Sequence, residues 1–450
     1  MKWTATVETW KERLLTTPQA PPDDRSRIRA VLDSLILHLH PTRVPARALR
    51  FAYTWGLGGI SATLVLILVA TGVLLMFRYE PNIDRAYISI QRLEAQVAFG
   101  SLFRAAHHWS AHLLVITTFL HLLRVFLTGG YKRGRFANWL IGIALMLLVL
   151  AFNFTGLLLP WDQLAYWAVT VSTSLISYVP IVGPLLSRFL MAGTEVGQGA
   201  LSNFYALHVA VLPALLIVTL SYHFWRVRKD GGISQPDRKP GERIERVTTI
   251  PHLVRIEFAA AMVVIAGLMI WSMLVPAPLQ ELADPTRSPN PAKAVWFLVG
   301  LQELLLHIDT LGAIVLVAGV MLAVGLLPRW DRREENIGIY FRSPVGRQAA
   351  LAGALLSLNL VPVMVVADEF WIDLHGWLPV WPSIISTGLI PLLTVLAVFA
   401  GVYTIARKGL RANQSEALMG LFTFIITSLI VLTVIGNLFR GPNMALRLPF

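Results

Sequence analysis

The stretch 104–124, RAAHHWSAHLLVITTFLHLLR, carries His107 and His121 inside an apolar run, with Arg104 and Arg124 three residues outside them. A helix rises 1.5 Å and turns 100° per residue, so this 14-residue step is nearly four turns. It covers about 21 Å along the axis and returns to within about 40° of the same face. One helix therefore presents two stacked imidazoles. The stretch 206–225, ALHVAVLPALLIVTLSYHFW, repeats the arrangement with His208 and His223, one residue further apart. Run antiparallel, the two helices pair His107 with His208 at one end and His121 with His223 at the other. Each pair of neutral imidazoles suits one haem iron. A single intramembrane histidine often only bonds a neighbouring helix. Four at matched depth on two spans argue for function, because polar groups are costly in lipid.

The surrounding sequence places these helices in a membrane. The chain is 55% hydrophobic and 14% charged, with a mean hydropathy of +0.62, which does not fit a soluble domain. Apolar runs near the ~20 residues that cross a bilayer cover 55–77, 112–128, 138–159, 204–225, 256–275, 309–327, 347–366, 384–405 and 414–438. Nine transmembrane helices are predicted. Lys132, Arg133 and Arg135, the dense set from Arg226 to Arg255, then Arg329 to Arg347, and finally Arg407, Lys408 and Arg411 fall in alternate loops. By the positive-inside rule these loops and the N-terminus are cytoplasmic, which puts the C-terminus outside. The loop 78–104, with Arg78, Arg85, Arg92 and Arg104, breaks the pattern.

The net charge of +12 is thus mostly topology. No basic run is interleaved with aromatics, so no nucleic-acid partner is expected. Residues 25–39 read as a basic amphipathic helix on the interface, and the first span reads as an uncleaved signal. With no cysteine, the chain holds no disulfide, iron–sulfur cluster or covalent haem. A polar linker at about 229–251 divides the chain. The organisation is therefore an N-terminal segment (1–49), a four-helix domain (50–230), a three-helix domain (231–367) and two further helices (368–450).

Glycines repeat the histidine period: Gly58 and Gly72 before the histidine helix, Gly142 and Gly156 after it. A helix-packing stripe would explain them alone, but at the matched spacing they read as clearance for a flat macrocycle. Arg104 and Arg124 are placed to pair with its propionates.

Taken together, G58-x13-G72, R104-x2-H107-x13-H121-x2-R124, G142-x13-G156, LPWDQLAYW (159–167), VGQGALSNFYALH (196–208) and H208-x14-H223 resemble cytochrome b of the bc complexes over about 50–370. LPWDQ, the 15-residue histidine step and FWRVRKDGGIS look most like the chloroplast and cyanobacterial branch, with the second half similar to that branch's separate subunit. Menaquinol-oxidising bacterial homologues look the nearest kin. The resemblance implies an all-α integral membrane fold, a four-helix dihaem bundle with further spans. It also implies two noncovalent b-type haems, at His107 and His208 (outer, low potential) and at His121 and His223 (inner, high potential), with quinone as substrate. Partners would be a Rieske iron–sulfur protein or c-type cytochrome subunits in a dimeric complex, surrounded by lipid in a bacterial cytoplasmic membrane.

The chain departs from that pattern where the family's PEWY-type motif supplies a proton-accepting acid. Here the residues are Ala294, Val295, Trp296 and Phe297, and Val295 cannot take a proton. Glu303 is the preferred replacement base, its apolar segment expected to raise its pKa; His307 is the second candidate. Trp296, Phe297 and Tyr166, with Trp167 and Ala168, are expected at the outer quinol site, and Arg255 and Glu257 at an inner one. Asn203 stands where the family often has an arginine near the outer haem. His38, His40, His108, His112, His252 and His375 read as structural. Asp368, Glu369 and Asp373 read as a solvated turn.

The expected function is quinol oxidation coupled to electron transfer and proton translocation across the membrane. One rival is a dihaem anchor linking a dehydrogenase to the quinone pool, favoured by the missing acid. Another is a transporter with histidine proton relays.

Overall fold

The computed structural model describes residues 43–132, 134–235, 243, 245–331 and 338–447. The amphipathic segment expected at 25–39, with His38 and His40, lies outside them.

Lipid offers no partner to backbone N–H and C=O groups, so every spanning segment must satisfy its own, and helices result. Among the described residues nine helices are long and apolar enough to span a bilayer: α1 (Leu57–Met76), α3 (Gly100–Leu127), α4 (Phe136–Leu158), α7 (Gln198–Lys229), α8 (Val254–Leu274), α10 (Thr310–Trp330), α11 (Pro344–Phe370), α12 (Ile384–Gly409) and α13 (Gln414–Leu438). Between them lie shorter helices α2 (Ala86–Gln96), α5 (Gln163–Ser177), α6 (Gly183–Met191) and α9 (Val299–His307). The spans match the nine expected apolar runs. The second begins at Gly100 rather than 112, because His107, His108 and Ser110 lower the hydropathy without interrupting the helix.

The fourth span explains the unequal histidine steps. Residues Leu207–Val211 form one π-turn within α7, with His208 in it. A π-turn absorbs one extra residue, so the 15-residue step from His208 to His223 behaves like the 14-residue step on α3 and returns to the same face.

α1 packs along α3, α4 along α7, and α3 against α4. Leu64, Leu114, Val115 and Val149 fill the middle of this bundle. Call the end bearing Gly100 and Leu158 upper. At the lower end, Lys132 forms a 3.0 Å ion pair with Asp331. Asp331 also accepts from Tyr131 at 2.6 Å, and Lys132 donates to Ser415 at 2.9 Å. A loop lysine that the charge pattern reads as a topological signal is thus buried, and it docks α10 and α13 onto the bundle. In the second half α11 and α13 lie so close that a Cβ at Gly420 would stand 2.9 Å from the Ala349 carbonyl, and one at Gly353 would meet the Gly420 carbonyl. Only small residues allow that approach of helices in lipid.

Candidate haem and quinone sites

At the upper end the rings of His107 and His208 face each other across the bundle, centroids 6.3 Å apart. Each is held by the same device. The Nδ1 of His107 lies 2.9 Å from Thr71 Oγ1, and that of His208 lies 3.0 Å from Thr155 Oγ1. Both hydroxyls already donate to the carbonyl four residues back, Ile67 at 2.7 Å and Ala151 at 2.8 Å. Each threonine therefore accepts from Nδ1–H, which fixes the tautomer and leaves the Nε2 lone pair for a metal. Neither threonine was singled out from sequence. Their only signal is position, each immediately before a glycine of the 14-residue pattern. A Cβ at Gly72 would stand 3.2 Å from His107 Cε1, and one at Gly156 would stand 2.7 Å from His208 Cε1.

At the lower end His121 and His223 line a cavity of about 190 Å³ with Gly58, Gly142 and Arg124. A Cβ at Gly58 would lie 3.5 Å from His121 Cε1, whereas Gly142 has nothing within 4 Å. Among the described residues lining it, three buried polar atoms lack hydrogen-bond partners: His223 Nδ1, Asn138 Oδ1 and an Arg124 terminal nitrogen. The Arg124 guanidinium is otherwise held, its Nε donating to the Tyr53 carbonyl at 3.1 Å and its plane over the Tyr53 ring at 4.4 Å. Unpartnered buried donors and acceptors are costly. An arginine aimed into a histidine-lined cavity fits a macrocycle carrying carboxylates.

Arg104, at the upper end, has protein partners. Its guanidinium donates to the carbonyls of Ala277 at 3.0 Å and Pro278 at 2.6 Å, and it pairs with Glu94. Arg104 is committed to the connection that crosses the upper end. Asp162 helps hold that connection, capping α5 through Ala165 N at 2.9 Å and accepting from Gln280 N at 3.0 Å. Asn203, likewise, serves structure and donates to the Phe189 carbonyl at 2.7 Å.

The residues expected at the outer quinone site fall into separate clusters. Tyr166 packs with Leu158, Trp161 and Phe204 and lines an open groove with Thr170, Arg188 and Glu195. Beside it the buried Trp167 indole N–H has no partner. Phe297 packs in the bundle middle against Leu64 and its neighbours, and Trp296 Nε1 donates to His112 Nδ1 at 2.8 Å. His112 Nε2 lies 3.1 Å from His108 Nε2. These two histidines, off the ligand phase and read as structural, adjoin the segment that lacks an acid. At the lower end Glu257 lies over Gly59, 3.8 Å from where its Cβ would be.

Glu303 is fully buried, but its surroundings are not apolar. Arg440 Nε donates to both carboxylate oxygens at 3.0 Å, its Nη2 donates to Oε1 at 2.7 Å, and His307 Nε2 lies 3.3 Å away. Burial pushes the Glu303 pKa up, but the bonds from His307 and Arg440 outweigh it and hold the carboxyl below its usual value. The expected rise is corrected: His307, four residues on, and Arg440, 137 residues away, together reverse it.

His307 shows the opposite outcome. Burial disfavours its charge, yet hydrogen bonds to Asp368, at 2.6 Å, and to Glu303 raise its pKa to about 9. Its Nε2 also faces Arg440 at 3.4 Å, but two accepting carboxylates favour the imidazolium. The folded value lies above the unfolded one of about 6.5. This stabilisation is therefore complete below about pH 6.5 and is lost as pH rises through about 9. Thermal stability should fall across that window. In His307→Gln the decline should flatten, and an equal slope in both proteins would reject the assignment.

The chain matches the family described as cytochrome b/b6/petB over residues 45–231. Cytochrome b6 of Tupiella akineta is 40% identical over 214 residues, 48% of this chain and 96% of that protein. Cytochrome b6 of Mastigocladus laminosus is 43% identical over 180 residues, 40% of this chain and 83% of that protein. A solved structure titled "Hyperthermophilic respiratory Complex III" shares the fold, with a TM-score of 0.63 and 20% identity, covering 92% of this chain and 98% of that one. With four aligned histidines on α3 and α7 and these relatives, the chain belongs to the cytochrome b/b6 family.

Proposed function

We propose that this chain is the dihaem cytochrome b subunit of a quinol-oxidising bc-type respiratory complex. The observation that carries the reading is the pair of cross-helix histidine couples. The upper one has its Nε2 lone pairs freed by Thr71 and Thr155, and the lower one adjoins the unpartnered Arg124 nitrogen. In this reading His107 and His208 hold one b-type haem and His121 and His223 the other, and together these groups carry electrons across the lipid. The chain's own work is orientation and electrostatics. The threonines set imidazole tautomers, Gly72 and Gly156 keep the α1 and α4 backbones clear, and Arg124 neutralises a propionate. From separate clusters, Tyr166 with Trp167 and Trp296 border the upper quinol site, with Phe297 packed toward the bundle middle, and Arg255 and Glu257 border a lower quinone site. Orientation with the upper end outward follows the loop charges. It places quinol oxidation on the periplasmic side of a bacterial cytoplasmic membrane, with Rieske or c-type cytochrome subunits as electron acceptors and a dimer as the assembly.

Purified from membranes, the chain should contain two b-type haems, reducible by a quinol through partner-dependent turnover. A spectrum without b bands would reject the reading. The dehydrogenase-anchor alternative is favoured by Val295; a co-purifying molybdenum or iron–sulfur dehydrogenase in place of a Rieske or cytochrome c subunit would establish it.

Gly156→Val should lower haem content well below that of Ile143→Val, because a Cβ at Gly156 already intrudes to 2.7 Å on His208 and a branched one cannot be relieved in a packed bundle. Equal haem content in the two variants would make Gly156 a plain packing residue.

A further inference from the structure

Val295 leaves the upper quinol site without an acid in its own segment, yet the residue beside it reaches a base on another helix. Trp296 Nε1–H donates to His112 Nδ1 at 2.8 Å, and the two rings lie 6.1 Å apart. His112 follows the ligand His107 by five residues, about 140° around α3, so it points away from the His107–His208 couple. It faces the segment that carries Trp296. Because Nδ1 accepts from the indole, the neutral ring carries its proton on Nε2, directed at His108 Nε2 at 3.1 Å. Trp109, from its own helix, completes the surroundings at 5.9 Å. Among the described residues no carboxylate is recorded bonding to His112. An imidazole in a membrane span with its acceptor nitrogen turned toward the substrate segment is costly as mere packing.

We propose that His112 is the residue that accepts the first quinol proton, in place of the missing acid. This rests on the reading that the chain oxidises quinol. The quinol hydroxyl displaces the Trp296 indole from Nδ1. The O–H bond breaks, its proton forms the new N–H bond at Nδ1, and the electron pair stays on the quinol oxygen. The product is a quinolate monoanion beside a His112 imidazolium. The second N–H of that imidazolium remains on Nε2, bonded to His108. The displaced Trp296 N–H is then free to donate to the quinolate oxygen, where a fixed donor stabilises the developing charge.

The test uses the intact complex, a short-chain menaquinol and a soluble one-electron acceptor, with haem content and spectra measured beside turnover. In His112→Gln, which keeps polarity but is no base, kcat should fall by about 100-fold or more, while both haems and KM stay near wild type. In His112→Glu, which restores a proton acceptor, most of that loss should be recovered. Equal loss in both variants, or none in His112→Gln, overturns the proposal. Should His112 variants lose haem, Trp296→Phe decides: kcat should drop at least about tenfold through the lost donor, and an unchanged kcat overturns it. A wild-type complex that does not oxidise menaquinol would instead defeat the functional reading itself, so the two failures are distinguishable.

Discussion

Replacing His121 or His223 by alanine should leave one b-type haem per chain instead of two, with the remaining spectrum that of the upper site. The two histidine couples are separated by about four helical turns, about 21 Å, and among the described residues no side-chain hydrogen bond joins them. Loss at the lower couple therefore does not disturb Thr71, His107, Thr155 and His208. A haem iron with one of its two protein ligands removed is also left in a cavity whose remaining anchors are Arg124 and the glycine clearance, too little to keep it through purification. The reciprocal variants His107→Ala and His208→Ala should remove the upper haem and spare the lower. Quantitative haem extraction and low-temperature difference spectra report both numbers. Two haems at full occupancy in any of the four variants would sink the ligand assignment.

The parts of this site that depend on helical period were legible in the sequence. The placement of the four histidines, of Gly58, Gly72 and Gly156 against them, and of the nine spans follows from a 3.6-residue repeat and a ~20-residue length. What required the structure was every partner brought in from elsewhere in the chain. The π-turn at Leu207–Val211 reconciles two unequal histidine steps, but one inserted residue leaves no mark on hydropathy. Arg104 stands three residues from a candidate ligand, and its contacts with the carbonyls of Ala277 and Pro278 come from 173 and 174 residues away. Glu303 sits among leucines in sequence, which suggests desolvation alone, and meets Arg440 only through the packing of α9 against α13. His112 reads as off-phase until Trp296, 184 residues away, arrives to donate to it.

These corrections reassign the chemistry of the second half. A carboxylate held by three hydrogen bonds from one guanidinium keeps its charge, and with its pKa held below the usual value it is a weak proton acceptor while that pair stands. The same geometry makes it a strong tether between α9 and the segment after α13. The sequence offers Glu303 as the proton acceptor; the ion pair with Arg440 gives it a structural role instead, and the proposed acceptor is His112.

Arg440→Ala should be the most destabilising single change in the second half. The side chains of Arg440 and Glu303 are 1% and 0% exposed. Arg440 also donates to Glu369 at 2.7 Å and to the Met444 carbonyl at 2.9 Å, so one guanidinium closes three segments. Its removal leaves the Glu303 carboxylate buried with only His307 to offset it, and breaking a buried pair from one side costs about 3–5 kcal/mol. Glu303→Gln should cost less, because Arg440 keeps Glu369 and an amide oxygen can still accept from it. The double variant Arg440→Met with Glu303→Leu should recover much of the loss, since well-packed apolar groups often replace a buried ion pair without penalty. Thermal unfolding of the purified complex gives this order directly, and quinol turnover measured beside it separates the two roles of Glu303. The tether account requires that turnover in Glu303→Gln follow the stability loss. A Glu303→Gln complex with wild-type thermal stability and abolished turnover would return the proton-accepting role to Glu303.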